Sequence, residues 1–266
     1  MKILALACFC VDVFPESGKI LPGGNALNLA VNCTNINNAE VFVMGNIGKD
    51  KYGSIIKKSI DAYKINRSNL YEIKGQTANH IIHIDETGDR YFKKNSWTSG
   101  VWADYKMSVH DKKIIKDMDA VATTYYEPDF KNIIKAVSNR KFIMCVDFHD
   151  EKIKLSWEKY FKYIDLFFIS GNGQNLDILK KWSEEYNTIF TATLGKYGSI
   201  SYQKGKKYIC KAIKPKKVID TTGCGDSYQA GFIMEYLSSK NIKKSMIKGS
   251  ESAARTLSFI GGFEIS

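Results

Sequence analysis

Asp220-Thr221-Thr222-Gly223-Cys224-Gly225-Asp226-Ser227-Tyr228-Gln229-Ala230-Gly231-Phe232 sets a two-glycine turn at the mouth of an apolar helix, with Val218-Ile219 before it as the start of a strand. A turn of this kind leaves the backbone N–H groups of residues 223 to 226 unpaired. Unpaired amides at a helix N-terminus attract anions, phosphate above all. Gly223 and Gly225 let the backbone approach such an anion without Cβ interference. Asp226 is the unusual member, because a carboxylate beside an anion hole repels a phosphate that is merely bound. It fits a base that takes a proton from a hydroxyl while the amides hold the charge of a transferring phosphoryl group. The alternative is an Asp that only caps its helix.

The 266 residues suffice for one large domain with a full core, and 44% hydrophobic with 25% charged residues is a globular composition. The net charge of +11 suits an anionic substrate. Its lysines are scattered in pairs (Lys57-Lys58, Lys112-Lys113, Lys206-Lys207, Lys243-Lys244) without the aromatic interleaving of a nucleic-acid platform, so no nucleic-acid partner is expected. Cysteines at 8, 10, 33, 145, 210 and 224 make no C-x-x-C pair. They read as free thiols in a reducing compartment, which implies the cytoplasm. The apolar opening Ile3–Val11 reads as a buried strand rather than a leader, and no run is long enough to cross a membrane.

Short apolar runs at Lys2–Val11, Val41–Met44, Ala120–Thr123, Phe142–Val146, Leu166–Ile169 and Ile189–Thr193 alternate with helical patterns at Asn25–Ile36, Gly53–Tyr63, Asp129–Val137 and Leu176–Tyr186. Two helices, Gly225–Ser238 and Lys243–Ile260, close the chain. This rhythm predicts an α/β fold: a doubly wound, mostly parallel sheet with helices on both faces. Asn69–Ile73, Ala78–Ile84 and Arg90–Lys94 instead alternate apolar with polar residues, and the turn Asp85–Asp89 joins the last two. They predict a small β-sheet lid over the strand ends, built from about 12–21 and 69–95 within a single 1–266 domain.

Two further clusters belong with the first. In Pro22-Gly23-Gly24-Asn25-Ala26-Leu27-Asn28, two glycines precede a helix and two asparagines share its first-turn face. An amide both donates to and accepts from hydroxyls, which suits a polyol. Asp12 ends the first strand, where ligands of open α/β sheets bind. Thr193-Leu194-Gly195-Lys196-Tyr197-Gly198 follows another apolar strand and can lie against a nucleotide. No P-loop or dinucleotide fingerprint is present.

Together these residues resemble the PfkB (ribokinase-like) carbohydrate kinases over nearly the whole chain. The run Asp220–Asp226 is similar to that family's C-terminal signature, and Gly23–Asn28 to its N-terminal one. The resemblance implies an ATP-dependent phosphotransferase acting on a sugar hydroxyl, with Mg²⁺. Asp226 would be the base, and the amides of Gly223, Cys224 and Gly225 the anion hole. Asp12, Gly23, Gly24, Asn25, Asn28 and Arg90 would bind the sugar, and Thr193, Gly195 and Gly198 the nucleotide. Asp220 and Thr222 resemble part of a monovalent-cation (K⁺) site. Two departures stand out: Cys224 replaces the usual Ala, and Ser170–Asn175 lacks the acid of the family's N-x-x-E element. Asp89–Phe92 and Gly100–Tyr105 look similar to the fructoselysine 6-kinases, which implies a sugar or sugar-amine acceptor. Fructose, a deoxy-ketoacid sugar, a nucleoside or a non-catalytic sugar sensor are the alternatives, and the lid implies a homodimer surface.

Overall fold

The computed structural model describes residues 1–36, 39–136, 140–171 and 176–265. The first half of the chain forms β1 (Lys2–Leu6), β2 (Cys10–Phe14), β3 (Lys19–Gly23), α1 (Asn25–Thr34), β4 (Glu40–Gly48), α2 (Lys51–Ala62) and β5 (Asn66–Ile73). The roof strands β6 (Ala78–Ile81), β7 (His83–Ile84), β8 (Arg90–Tyr91) and β9 (Trp97–Thr98) follow. Helices α3 (Val109–Lys116), α4 (Phe130–Ala136), α5 (Glu158–Phe161) and α6 (Leu176–Glu185) then alternate with β10 (Ala120–Thr124), β11 (Ile143–Asp147), β12 (Leu166–Ser170) and β13 (Ile189–Thr193). The antiparallel pair β14 (Ser199–Gln203) and β15 (Lys206–Cys210) leads to α7 (Cys224–Ser239) and α8 (Ile242–Thr256).

The main sheet has nine strands in the order β15-β14-β13-β12-β11-β10-β1-β4-β5, parallel except at the β13-β14-β15 end. Both faces are covered, because β1 alternates two sets of buried side chains. Ile3 and Ala5 join a core with Leu27, Ile56, Phe232 and Met246 from α1, α2, α7 and α8. Leu4 and Leu6 join a second core with Ile115, Ile133, Phe161 and Trp182 from α3 to α6. The chain leaves β1 toward β4 on one side and returns through β10 on the other. Their carboxyl ends therefore border a topological switch point, where open α/β sheets form their ligand crevice.

The doubly wound expectation holds, and three local expectations are corrected. The opening strand is two: β1 stops at Leu6, and β2 starts at Cys10 in a separate four-stranded sheet, β3-β2-β6-β9. Asn69–Ile73 does not belong to the roof, since β5 pairs parallel with β4 at the edge of the main sheet. Its alternation reflects an edge strand half-covered by α3, where Tyr71 Oη donates to the buried Asp111 at 2.5 Å. Val218-Ile219 forms no strand, and 211–223 runs as loop into α7. Val137, the expected end of α4, lies outside the described residues.

The hairpin expected at 85–89 is present as β7 paired with β8. Its tip docks on the loop before α7: Thr221 N–H donates to Gly88 O, and Arg90 N–H donates to Thr221 Oγ1, both at 3.2 Å. Helices α7 and α8 approach closely at Gly231, where a Cβ would stand 2.6 Å from both Lys248 O and Ser252 Oγ. Gly231→Ala would recover about 1 kcal/mol of helix propensity, but overpacking against fixed backbone costs about 1–3 kcal/mol. The expected outcome is a net loss of stability, read as a lower urea midpoint with an unchanged slope.

Candidate active site

Asp226 lies in the first turn of α7, behind Gly223, whose left-handed φ of 72° starts the helix. The side chain is 8% exposed. Asn25 Nδ2 donates to its Oδ1 at 3.0 Å and Asn28 Nδ2 to its Oδ2 at 2.9 Å. Thus the two amides read as facing a polyol donate, in the structure, to the candidate base. They come from the first turn of α1, which begins at the left-handed Gly24 (φ 91°). A Cβ on Gly24 would lie 2.5 Å from Cys8 O. Burial raises the Asp226 carboxyl above its ordinary value, Asn25 and then Asn28 oppose the rise, Asp147 adds to it and His149 opposes it. A buried acid pushed up yet held by two donors can exist in both protonation states, as a general base requires.

Asp12, in β2, is 4% exposed and faces the same space. Burial pushes it to about 7, Arg90 and the Cys10 thiol oppose that, and Asp220 and Asp226 reinforce it. Gly23 pairs across the sheet with Cys10, and a Cβ there would overlap the Asp12 carboxylate. Arg90, in β8, is exposed, with its guanidinium 5.7 Å from the Phe92 ring centre.

The glycines of the other clusters divide by what surrounds them. Among the described residues, nothing stands within 4 Å of a Cβ built on Gly225 or Gly195. Those two positions leave open space for a ligand against the backbone. A Cβ on Gly198 would collide with Cys210 O, and its φ of 97° also favours glycine. At Gly223 the contact is Gly262 Cα. Thr193 ends β13, with Oγ1 3.5 Å from Ile169 O. Burial pushes the Cys224 thiol to about 12, so it is no thiolate nucleophile. Asp220 is fully buried and accepts from Thr222 N–H and Gly261 N–H, each at 2.8 Å. Thr222 Oγ1 is buried without a hydrogen-bond partner, an acceptor that a cation would satisfy.

Several residues were missed. Asp147, at the end of β11, lines a small cavity at the switch point with Asn25, Thr123, Thr124, Asp226 and Gln229. Its signal was available: an acid ending an apolar strand, followed by His149. Gly261-Gly262 also contributes, since a Cβ on Gly262 would overlap the Asn28 carboxamide, and Gly262 O accepts from Asn32 Nδ2 at 3.1 Å. Only a glycine pair near the chain end hinted at that contact. The departure at Asn172–Asn175 lies outside the described residues. No described helix is long and apolar enough to cross a membrane.

Residues 12–262 match the pfkB family of carbohydrate kinases. Over 99% of the chain and 100% of the relative, the sequence is 29% identical to a fructoselysine 6-kinase of Shigella flexneri. It is 25% identical to a fructosamine kinase of Bacillus subtilis, over 99% of the chain and 93% of that protein. A solved Arabidopsis thaliana ribokinase complexed with ribose and ATP superposes with a TM-score of 0.82 at 18% identity, covering 98% of this chain and 93% of that one. Thermotoga maritima ribokinase gives 0.81 at 19%, covering 100% and 96%.

Two outcomes follow from the carboxyls. Removing the Asn25 donor lets burial act unopposed on one Asp226 oxygen, so Asn25→Ala should move the acidic limb of the pH–kcat profile to higher pH. Asp12 has a folded value near 7 against an ordinary 3.8. Its stabilising effect is complete at low pH and is lost as pH rises from about 4 to about 7. Asp12→Asn should therefore raise Tm most above pH 7 and progressively less toward pH 4.

Proposed function

The chain belongs to the pfkB family of carbohydrate kinases, and on that premise we propose that it transfers the γ-phosphoryl group of ATP to the 6-hydroxyl of fructoselysine or a related Amadori sugar–amine. The observation that carries the reading is Asp226, held by Asn25 and Asn28 at the N-terminus of α7 beside the open backbone of Gly225. The acceptor hydroxyl would approach Asp226 from the space under Asp12 and Arg90, and Asp226 would take its proton. The amides of Gly223 and Gly225, with the positive end of α7, would hold the charge on the transferring group, and that of Cys224 would join them by leaving Thr221 O, to which it donates at 3.3 Å. Phosphoryl transfer has a loose transition state, so positioning and charge stabilisation supply most of the rate.

The nucleotide would reach this point from Thr193 and Gly195. Among the described residues no group of three acids, histidines or cysteines is placed to hold a metal. Magnesium would therefore come with ATP, bound chiefly by phosphates, with Asp147 the carboxylate best placed to meet it. Bound Mg²⁺ supplies charge neutralisation for the phosphates. Asp220 and Thr222 would hold K⁺ through the unpartnered Thr222 Oγ1. The docked hairpin would exclude water from the reaction, and the roof sheet would offer the dimer surface. Asp226→Asn should keep ATP and sugar binding, measured calorimetrically, yet lose about two to four decades in kcat. Near-normal turnover would remove Asp226 from the chemistry.

A further inference from the structure

The roof face that looks onto Asp226 carries more aromatic surface than a bare sugar requires. Sheet pairing sets Leu21, Asp12, His80 and Trp97 side by side in one row. Directly paired residues project to the same face. Asp12 orients that face, since Asp220, Asp226 and Arg90 all act on its carboxyl. Phe92 stacks on His80 with centroids 4.2 Å apart and planes 7° from parallel, and Trp97 meets the same imidazole edge-on at 5.4 Å. Trp97 abuts Trp102 at 5.8 Å, and the Trp102 indole N–H donates to Glu127 Oε2 at 3.1 Å. Glu127 is 3% exposed and its other oxygen has no hydrogen-bond partner. Burial pushes its carboxyl up to about 8, the Trp102 indole opposing and Asp129 reinforcing the rise, so it is largely uncharged until a cation meets it. Phe92 and Trp97 remain 47% and 40% exposed.

Exposed rings beside a polar pocket mark a surface that something covers. A buried carboxyl oxygen without a donor is costly until one arrives. Aromatic faces and a buried acid together select a cation. Phe92 is already taken, by His80 on one face and the Arg90 guanidinium over the ring, which leaves Trp97 and Glu127 to meet one. We infer that this row is the wall for a protonated amine arm on the acceptor sugar, with Trp97 covering the arm and Glu127 the buried carboxyl that would ionise against it. The inference rests on the sugar–amine acceptor reading and names the residues that would recognise the arm. A neutral ketose would leave the wall uncovered.

The test compares kcat/KM for fructoselysine and for fructose, at saturating ATP, in wild type, Trp97→Leu and Glu127→Gln. Trp97 is exposed, so its replacement does not threaten the fold. The fructoselysine-to-fructose ratio should fall about tenfold in each variant, mainly through KM for fructoselysine. A purely structural role would lower both acceptors together and leave the ratio unchanged, which would overturn the wall. A wild type that prefers fructose would overturn the acceptor reading itself, and the wall with it. A wild type that prefers fructoselysine, with variants of unchanged ratio, would overturn the wall alone.

Discussion

One carboxyl must be kept from water and still be able to ionise, and the arrangement of both chain ends serves that requirement. Burial at the N-terminus of α7 raises Asp226, and two asparagine amides limit the rise. Those amides come from α1, so α1 and α7 must meet end to end. The meeting is possible because Gly24 and Gly223 adopt left-handed backbone and because Gly262 presents no side chain to Asn28. Asn32 extends the clasp, donating to Gly262 O and accepting from Ser227 Oγ at 3.1 Å. Residues from the beginning, the end and the signature turn thus form one hydrogen-bonded unit around a single acid.

The parallel sheet supplies the place for this unit. Strands β1 and β10 diverge in connectivity, and the carboxyl ends of β10 and its neighbour β11 bring Thr123, Thr124 and Asp147 beneath the two helix termini. The roof is joined to the same unit, since the hairpin tip bonds to Thr221, two residues before Gly223. On the proposed reading, acceptor contacts on the roof and phosphate contacts on the turn would be mechanically adjacent. That adjacency gives a kinase a direct way to couple sugar binding to exclusion of water from the phosphoryl group.

Much of this was legible in the sequence. Apolar runs of strand length separated by helical periodicity dictated the doubly wound sheet, because strands buried on both faces cannot alternate. The D-T-T-G-x-G-D spacing put an acid in the first turn of a helix, where Asp226 is found, but not every amide of that turn is open, since Cys224 N–H donates to Thr221 O at 3.3 Å. What escaped was tertiary. Sequence periodicity cannot distinguish a half-covered edge strand from a roof strand, which is why 69–73 reads as roof yet pairs with β4. The partner of Asn25 and Asn28 lies 201 and 198 positions away, and no local pattern reveals that their amides turn to an acid. Glycines read alike in sequence, yet a Cβ would collide with Cys210 O at Gly198 and meet only open space at Gly225. Asp147 carries a local signal as an acid ending an apolar strand, whereas only burial gives Glu127 its weight.

A crystal structure with fructoselysine and a non-hydrolysable ATP analogue tests the central claim most directly. The account predicts the acceptor hydroxyl oxygen within hydrogen-bond distance of an Asp226 oxygen and in line with the terminal phosphorus, itself held by the amides of 223 to 225. An acceptor hydroxyl seated away from Asp226, or a terminal phosphate bound elsewhere than the α7 N-terminus, would contradict it.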